Sequence, residues 1–228
     1  MARDHSPKER QRKQLERKLA RRASYDRILI VSEGSKTEPS YFGEIRHAYR
    51  LHTANVAVHP SELGTAPIQV VRYAKELFEF GDKHKNIQQR AFEQVYAVFD
   101  RDDHGSYFDA LQVAESLDGK LKNDNKQFVR FQAIASVPSF ELWLLLHYED
   151  IQHPLHRNEV MRRLKIHIPG YEKGATRAFS MTRERLSVAT QRAKALAAQF
   201  NARTEPEPFT AIVELVELLT HLRAEIPT

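Results

Sequence analysis

With 228 residues, 41% of them hydrophobic and 29% charged, the chain is long enough for one α/β domain with a sizeable core and an appendage. It contains no cysteine, which excludes a disulfide scaffold, a zinc–thiolate site and a thiol nucleophile. The net charge of +5 is concentrated in one place: residues 1–24 carry nine Lys or Arg against three Asp or Glu, and the rest of the chain carries 26 against 27.

That first segment, with "KERQRKQLERKLARR" at its centre, is either a solubilising tail or an arm that neutralises nucleic-acid phosphates. It lacks the apolar core of a signal peptide. No apolar run approaches the roughly 20 residues that a membrane span needs. The expectation is therefore a cytoplasmic protein without a membrane partner.

Residues 27–32 (RILIVS) are a short, continuous apolar run, as expected of a buried central strand. A helix over 38–50 follows, with Pro39 suited to its first turn. Residues 54–59 (ANVAVH) form a second strand closed by Pro60. From Pro67 to about His84, the apolar residues Val70, Val71, Ala74, Leu77 and Phe78 recur at helical spacing. Residues 94–99 (QVYAVF) are a third strand ending at Asp100, and "YFDALQVAESLDGKL" is helical. A fourth strand over 128–135 (FVRFQAIA) leads through Pro138 into the apolar helix "SFELWLLLHY". Four strand–helix units in succession predict an α/β fold with a mostly parallel, four-stranded, Rossmann-like sheet flanked by helices. Residues 151–176 are mixed and basic. Two amphipathic helices, over 179–201 and 209–224, complete a C-terminal helical extension. The expected division is a basic tail over 1–24, an α/β core over 25–150, and a basic insertion with C-terminal helices packing on the core over 151–228.

The chemistry-bearing residues lie where strands end. Glu33 follows the first strand in "SEGSKTEPSYF", and Gly34 lets the chain turn sharply there. A phosphate loop is excluded, because Ser35 separates Gly34 from Lys36 and no glycine lies upstream. The third strand ends in "VFDRDDHG", which places Asp100, Asp102 and Asp103 at the same edge of the sheet, where open α/β folds bind ligands. Asp100 and Asp102 are hard oxygen ligands suited to Mg²⁺ (or Mn²⁺) and substrate phosphates, although a surface turn also tolerates Asp and Gly. A calcium-hand loop does not fit, since the twelfth position is Leu111. A phosphatase with an Asp nucleophile usually carries its Asp-x-Asp after the first strand, where Glu33 stands here. Glu38 is either a first-turn carboxylate favoured by the helix dipole or a ligand for a second metal. Glu141 lies among Phe140, Leu142, Trp143 and Leu144, where burial is costly unless it is paired or metal-bound. Ser139 either caps this helix or, with Ser136, bonds phosphate oxygens at its N-terminus. Lys36 and, in a basic loop, Tyr171 and Lys173 are candidates to track a nucleic-acid strand. Arg162, Arg163 and Lys165 extend a basic rim, and His104 adjoins the Asp cluster.

The segments "ILIVSEGSKTEPSYF", "VFDRDDHGSYFDAL" and "SVPSFELWLLLHY" together resemble the RloB-like family, whose core is similar to the Toprim fold. The resemblance runs from about residue 27 to 148, with a weaker echo in "GYEKG" and "EPFTAIVELVELL". It implies a metal-dependent nuclease of prokaryotic anti-phage and restriction-associated loci, abortive infection among them, often beside an ATPase partner. On this reading Glu33, Asp100 and Asp102 are catalytic, and Glu33, Glu38, Asp100, Asp102 and Glu141 hold metal. Lys36, Ser139, Arg162, Arg163 and Lys173 bind nucleic acid. A homo-oligomer is compatible with the apolar C-terminal helix. The rival is a non-catalytic nucleic-acid-binding or regulatory subunit that keeps the fold.

Deleting residues 1–24 tests the arm. Nucleic-acid binding should weaken and become less steep in salt, because fewer counterions are released. The same salt slope with and without the segment would leave it a solubilising tail.

Overall fold

The computed structural model describes residues 25–101, 105–204 and 208–222. In chain order these form β1 (Ile28–Ser32), α1 (Thr37–Ala48), β2 (Val56–Pro60), α2 (Pro67–Phe80), β3 (Gln94–Asp100), α3 (Tyr107–Leu117), β4 (Arg130–Val137), α4 (Phe140–Leu146), α5 (Arg157–His167), α6 (Ala178–Thr182), α7 (Leu186–Ala197), β5 (Phe209–Thr210) and α8 (Ile212–His221). The strands make one sheet in the order β2-β1-β3-β4-β5. β1 to β4 run parallel, and β5 is antiparallel to β4. The expected mostly parallel, Rossmann-like α/β sheet is present, with one strand more than the four anticipated. Phe209 and Thr210 were expected to open the last helix. They instead pair with Val137 and Ser136, a pairing too short to have a period of its own.

Burial explains the order. All five residues of β1 are buried, whereas the last three of β2 are only partly so. A run that is apolar throughout fits a central strand covered on both faces, and β2 takes the edge. Pro60 belongs to β2, where an edge strand tolerates the missing N–H. α2 begins with Pro67 at its first turn and ends at Gly81, whose φ of 69° stops it before the expected His84. A Cβ on Gly81 would also lie 2.6 Å from the carbonyl oxygen of Ile87. The expected helix over 179–201 is broken into α6, a 3₁₀ turn over Arg183–Arg185, and α7.

α2 and α3 pack together against β1, β3 and β4, while α1, α4 and α8 pack with α6 and α7. Right-handed crossovers place these two groups on opposite faces of the sheet. Ile212, Leu215, Val216 and Leu219 of α8 are buried within this chain, so the C-terminal helix completes the core. At the amino ends of β1 and β3, the buried Arg27 guanidinium donates to Glu93 and Asp124, so charge there is compensated. Among the described residues, no helix is long and apolar enough to cross a membrane.

One bond joins the two helices that matter most for the carboxyl ends of the strands. The buried Trp143 Nε1–H of α4 donates to the Tyr41 hydroxyl of α1 at 2.7 Å. The Tyr41 ring also meets Phe42, Phe140 and Phe179 edge-on, the favoured aromatic geometry. Tyr41→Phe leaves the indole N–H without this partner inside the protein, at a cost of about 1–3 kcal/mol. The melting temperature should fall by several degrees in a scan of the purified protein. No change would show that the bond does not hold α1 to α4.

Candidate functional site

The strand order reverses between β1 and β3: from β1 the chain steps to β2 on one side, then crosses to β3 on the other. Parallel sheets bind ligands in the crevice at such a point, beyond the carboxyl ends of the strands. Four carboxylates gather there from four elements. Glu33 follows β1, Glu38 lies in the first turn of α1, Asp100 ends β3, and Glu141 lies in the first turn of α4. Each has 8% of its surface exposed or less.

The backbone holds them in order. The Asp100 N–H donates to Glu33 Oε2 at 3.0 Å, and the Phe140 N–H donates to Asp100 Oδ1 at 2.8 Å. The Ser139 hydroxyl donates to Glu141 Oε2 at 2.8 Å, and the Tyr171 hydroxyl lies 3.5 Å from Glu141 Oε1. The β1, β3 and β4 ends are thus linked in series. The Val137–Pro138 peptide between β4 and α4 is cis.

Glu38 differs from the others, because its Oε2 is shielded from solvent and has no hydrogen-bond partner. Gly34 is what admits it. A Cβ at Gly34 would lie 2.1 Å from that oxygen, so any side chain there would displace the carboxylate. The sequence suggested a sharp turn at Gly34. Its backbone needs no left-handed conformation, and its role is to leave room for Glu38.

Crowding shifts the acids. Burial, opposed by a backbone hydrogen bond and reinforced by the charges of Glu141 and Glu33, pushes Glu38 up to about 7. Burial, then Glu38, Glu141 and Glu33, hold Asp100 well above the usual carboxylate range. The Lys173 ammonium opposes both shifts. Burial and the neighbouring carboxylates likewise raise the Tyr171 phenol.

The loop after α5 covers this cluster. Tyr171 is buried, and the Gly174 N–H donates to Thr37 Oγ1 at 2.7 Å at the start of α1. A Cβ on Gly174, whose φ is 93°, would lie 3.1 Å from the Lys36 side chain. Sequence reasoning placed Tyr171 in a nucleic-acid-tracking loop and did not anticipate the Thr37–Gly174 contact. The available signal was "GYEKG", two glycines flanking an aromatic and a lysine.

The other candidates are placed as follows. Ser139 is buried and turned inward to Glu141, and Ser136 bonds Thr210 Oγ1 at 3.0 Å. The first N–H of α4 is engaged by Asp100. Lys36 and Lys173 are exposed beside the cluster. Arg162 pairs with Glu159, Arg163 with Glu149, and Lys165 with Glu172, so each of these cations of the α5 rim has an acidic partner. Asp102, Asp103, His104 and the basic tail lie outside the described residues.

The donor set is chemically suited to a hard divalent cation, which takes carboxylate oxygens. The unpartnered Glu38 Oε2 is an oxygen that such an ion would satisfy. Among the described residues, however, no three His, Asp or Glu side chains by themselves form a closed metal-holding group. A family model described as RloB-like protein matches residues 28–219. No curated protein and no solved structure matches the chain.

A raised carboxyl pKa means that the folded state binds a proton the unfolded state has released. The stability from Glu38 is therefore complete below about pH 4.5, its ordinary value, and is lost as pH rises through about 7. His147 acts oppositely: burial lowers it to about 4, so its neutral form is favoured and stability falls as pH drops below its ordinary 6.5. The difference between wild type and Glu38→Gln isolates the carboxyl. In chelator, wild type should lose on the order of 3 kcal/mol relative to Glu38→Gln between pH 4.5 and 7.5, read by urea unfolding at each pH. Parallel curves for the two proteins would show that Glu38 ionises freely.

Proposed function

This chain belongs to the RloB-like protein family, and we propose that it is a metal-dependent nuclease that cleaves phosphodiester bonds of nucleic acid in prokaryotic defence. The observation that carries this reading is the gathering of Glu33, Glu38, Asp100 and Glu141 at the switch point of the sheet, with Glu38 Oε2 buried and unpartnered. Leaving like charges buried together is costly. A fold that keeps such a group has a use for a cation there. A Toprim-like assignment of the core agrees with a glutamate after the first strand and aspartates after the third.

Glu38 and Asp100, with Asp102 two residues after Asp100 in the sequence, would hold Mg²⁺ or Mn²⁺. Bound there, the ion supplies neutralisation of phosphate charge and a lowered pKa for the attacking water. The chain's own residues supply the rest. Glu33, oriented by the Asp100 N–H, accepts or returns a proton at its carboxylate. Asp100 is fixed at Oδ1 by the Phe140 N–H, which sets the direction of Oδ2. Glu141 is oriented toward the cluster by the Ser139 hydroxyl. Lys36 and Lys173, exposed at the rim, attract and position the phosphate. Tyr171 and the Gly174–Thr37 contact close the floor against water.

The rival, a non-catalytic nucleic-acid-binding subunit, draws on the lack of a closed three-ligand group among the described residues. One set of measurements separates the two. With Mg²⁺ or Mn²⁺ at 100 times its dissociation constant, wild type should gain about 2.7 kcal/mol, or roughly 5–10 °C in melting temperature. Asp100→Asn should melt higher than wild type in chelator, because the buried amide needs no proton to stay uncharged among the other acids, and should lose the metal-induced gain. Glu33→Gln should keep most of that gain and slow cleavage by about 100-fold or more. These rates are measured alone and with an ATPase partner. A wild type that metal neither stabilises nor activates would leave the binding-subunit reading.

A further inference from the structure

A second feature lies one helical turn beyond the carboxylates. The same loop that covers them continues from Gly174 into Thr176 and Arg177, and a cavity of about 730 Å³ opens between α1 and α6. Ser40, Gly43, Glu44 and His47 line it from α1, and Arg177, Ser180 and Arg183 from the α6 side. Thr37, which receives the Gly174 N–H, precedes Ser40 by three residues. At about 1.5 Å of rise per residue, the cavity starts roughly 5 Å along α1 from the covered cluster.

Its chemistry has two parts. Arg177 and Arg183 are exposed, and among the described residues neither side chain makes an ion pair, unlike the paired cations of α5. Glu44 is the opposite: its Oε2 accepts the Ser180 N–H at 2.9 Å, while Oε1 has no hydrogen-bond partner and is shielded from solvent, so it meets a ligand's donor only once the side chain turns into the cavity. A carboxylate oxygen only accepts. The cavity therefore asks for a ligand that carries both an N–H donor and an anionic group, at a volume typical of small-molecule sites.

A nucleotide meets both demands, and we propose that this cavity holds a nucleotide of the bound single strand adjoining the cleaved bond, with Glu44 reading the base edge. The proposal rests on the nuclease reading for its strand and on the cavity itself for its selectivity. Adenine, cytosine and guanine offer exocyclic amino groups to Glu44. Uracil and thymine offer one ring N–H flanked by two carbonyl oxygens, which a carboxylate repels. A site built to accept a donor rejects a base that presents acceptors. Arg177 and Arg183 contact the phosphates, with no preference for base.

Binding without cleavage tests this. Fluorescence anisotropy of labelled six-nucleotide oligo-A, oligo-C and oligo-U is measured in EDTA with full-length protein, together with competition by AMP, CMP and UMP. Oligo-A and oligo-C should bind at least tenfold tighter than oligo-U. Glu44→Gln should collapse this ratio toward one, because an amide also donates and so accepts uracil. Arg177→Ala and Arg183→Ala should each weaken all three oligomers and lower the salt slope by about one. Mononucleotides should compete far more weakly than oligomers. Equal binding of the three oligomers by wild type, or a ratio unchanged by Glu44→Gln, overturns the proposal. Mononucleotides binding as tightly as oligomers, with the same dependence on Glu44, would assign the cavity to a free nucleotide and overturn the strand subsite. Failure of the nuclease reading is seen separately: discrimination by Glu44 without metal-dependent cleavage would leave the cavity standing and remove the catalysis.

Discussion

The burial of four carboxylates at one end of a parallel sheet is the constraint on which the rest of this structure depends. Like charges removed from water raise one another's pKa, and each needs donors to remain in place. The fold supplies those donors from the backbone where β3 ends and α4 begins, so that Asp100 both receives a bond from Phe140 and gives one to Glu33. Such a chain of bonds ties the register of β3 against β4 to the position of two acids. The amino ends of the same strands show the contrasting solution. There Arg27 faces Glu93 and Asp124, and opposite charges offset the desolvation directly.

Rigid packing behind the cluster keeps it assembled. α1 carries Glu38 on the same buried face as Tyr41, Phe42 and Ile45, which follow it at i+3, i+4 and i+7. α4 carries Glu141 among seven buried residues. The Tyr41–Trp143 hydrogen bond joins the two helices, so the spacing of Glu38 and Glu141 is set by aromatic packing several residues away. Gly34 contributes by absence of a side chain, since only its missing Cβ leaves room for the Glu38 carboxylate.

Charge is also arranged outward from the cluster. Lys173 lies close enough to lower the pKa of the acids, Lys36 stands beside Gly174, and Arg177 and Arg183 line the neighbouring cavity. The cations of α5 are different, being committed to Glu149, Glu159 and Glu172.

The sequence by itself determined the parallel α/β sheet, because short continuous apolar runs such as ILIVS and QVYAVF have few other places to be buried. It also located Glu33, Glu38, Asp100 and Glu141, since each stands at a boundary between a strand and a helix, and such boundaries are local. Only the tertiary structure decided what depends on contacts far apart in the chain. Phe209 and Thr210 became a strand because β4 offered an open edge. Ser139 turned inward to Glu141, and Tyr171 left its basic loop to join the acids. Arg162 and Arg163 found acidic partners on and near their own helix. The pairing of Thr37 with Gly174 spans 137 residues, and no periodicity or motif spacing reports a contact of that kind. Glu44 was likewise one polar residue of an amphipathic helix until α6 packed beside it and enclosed its oxygen.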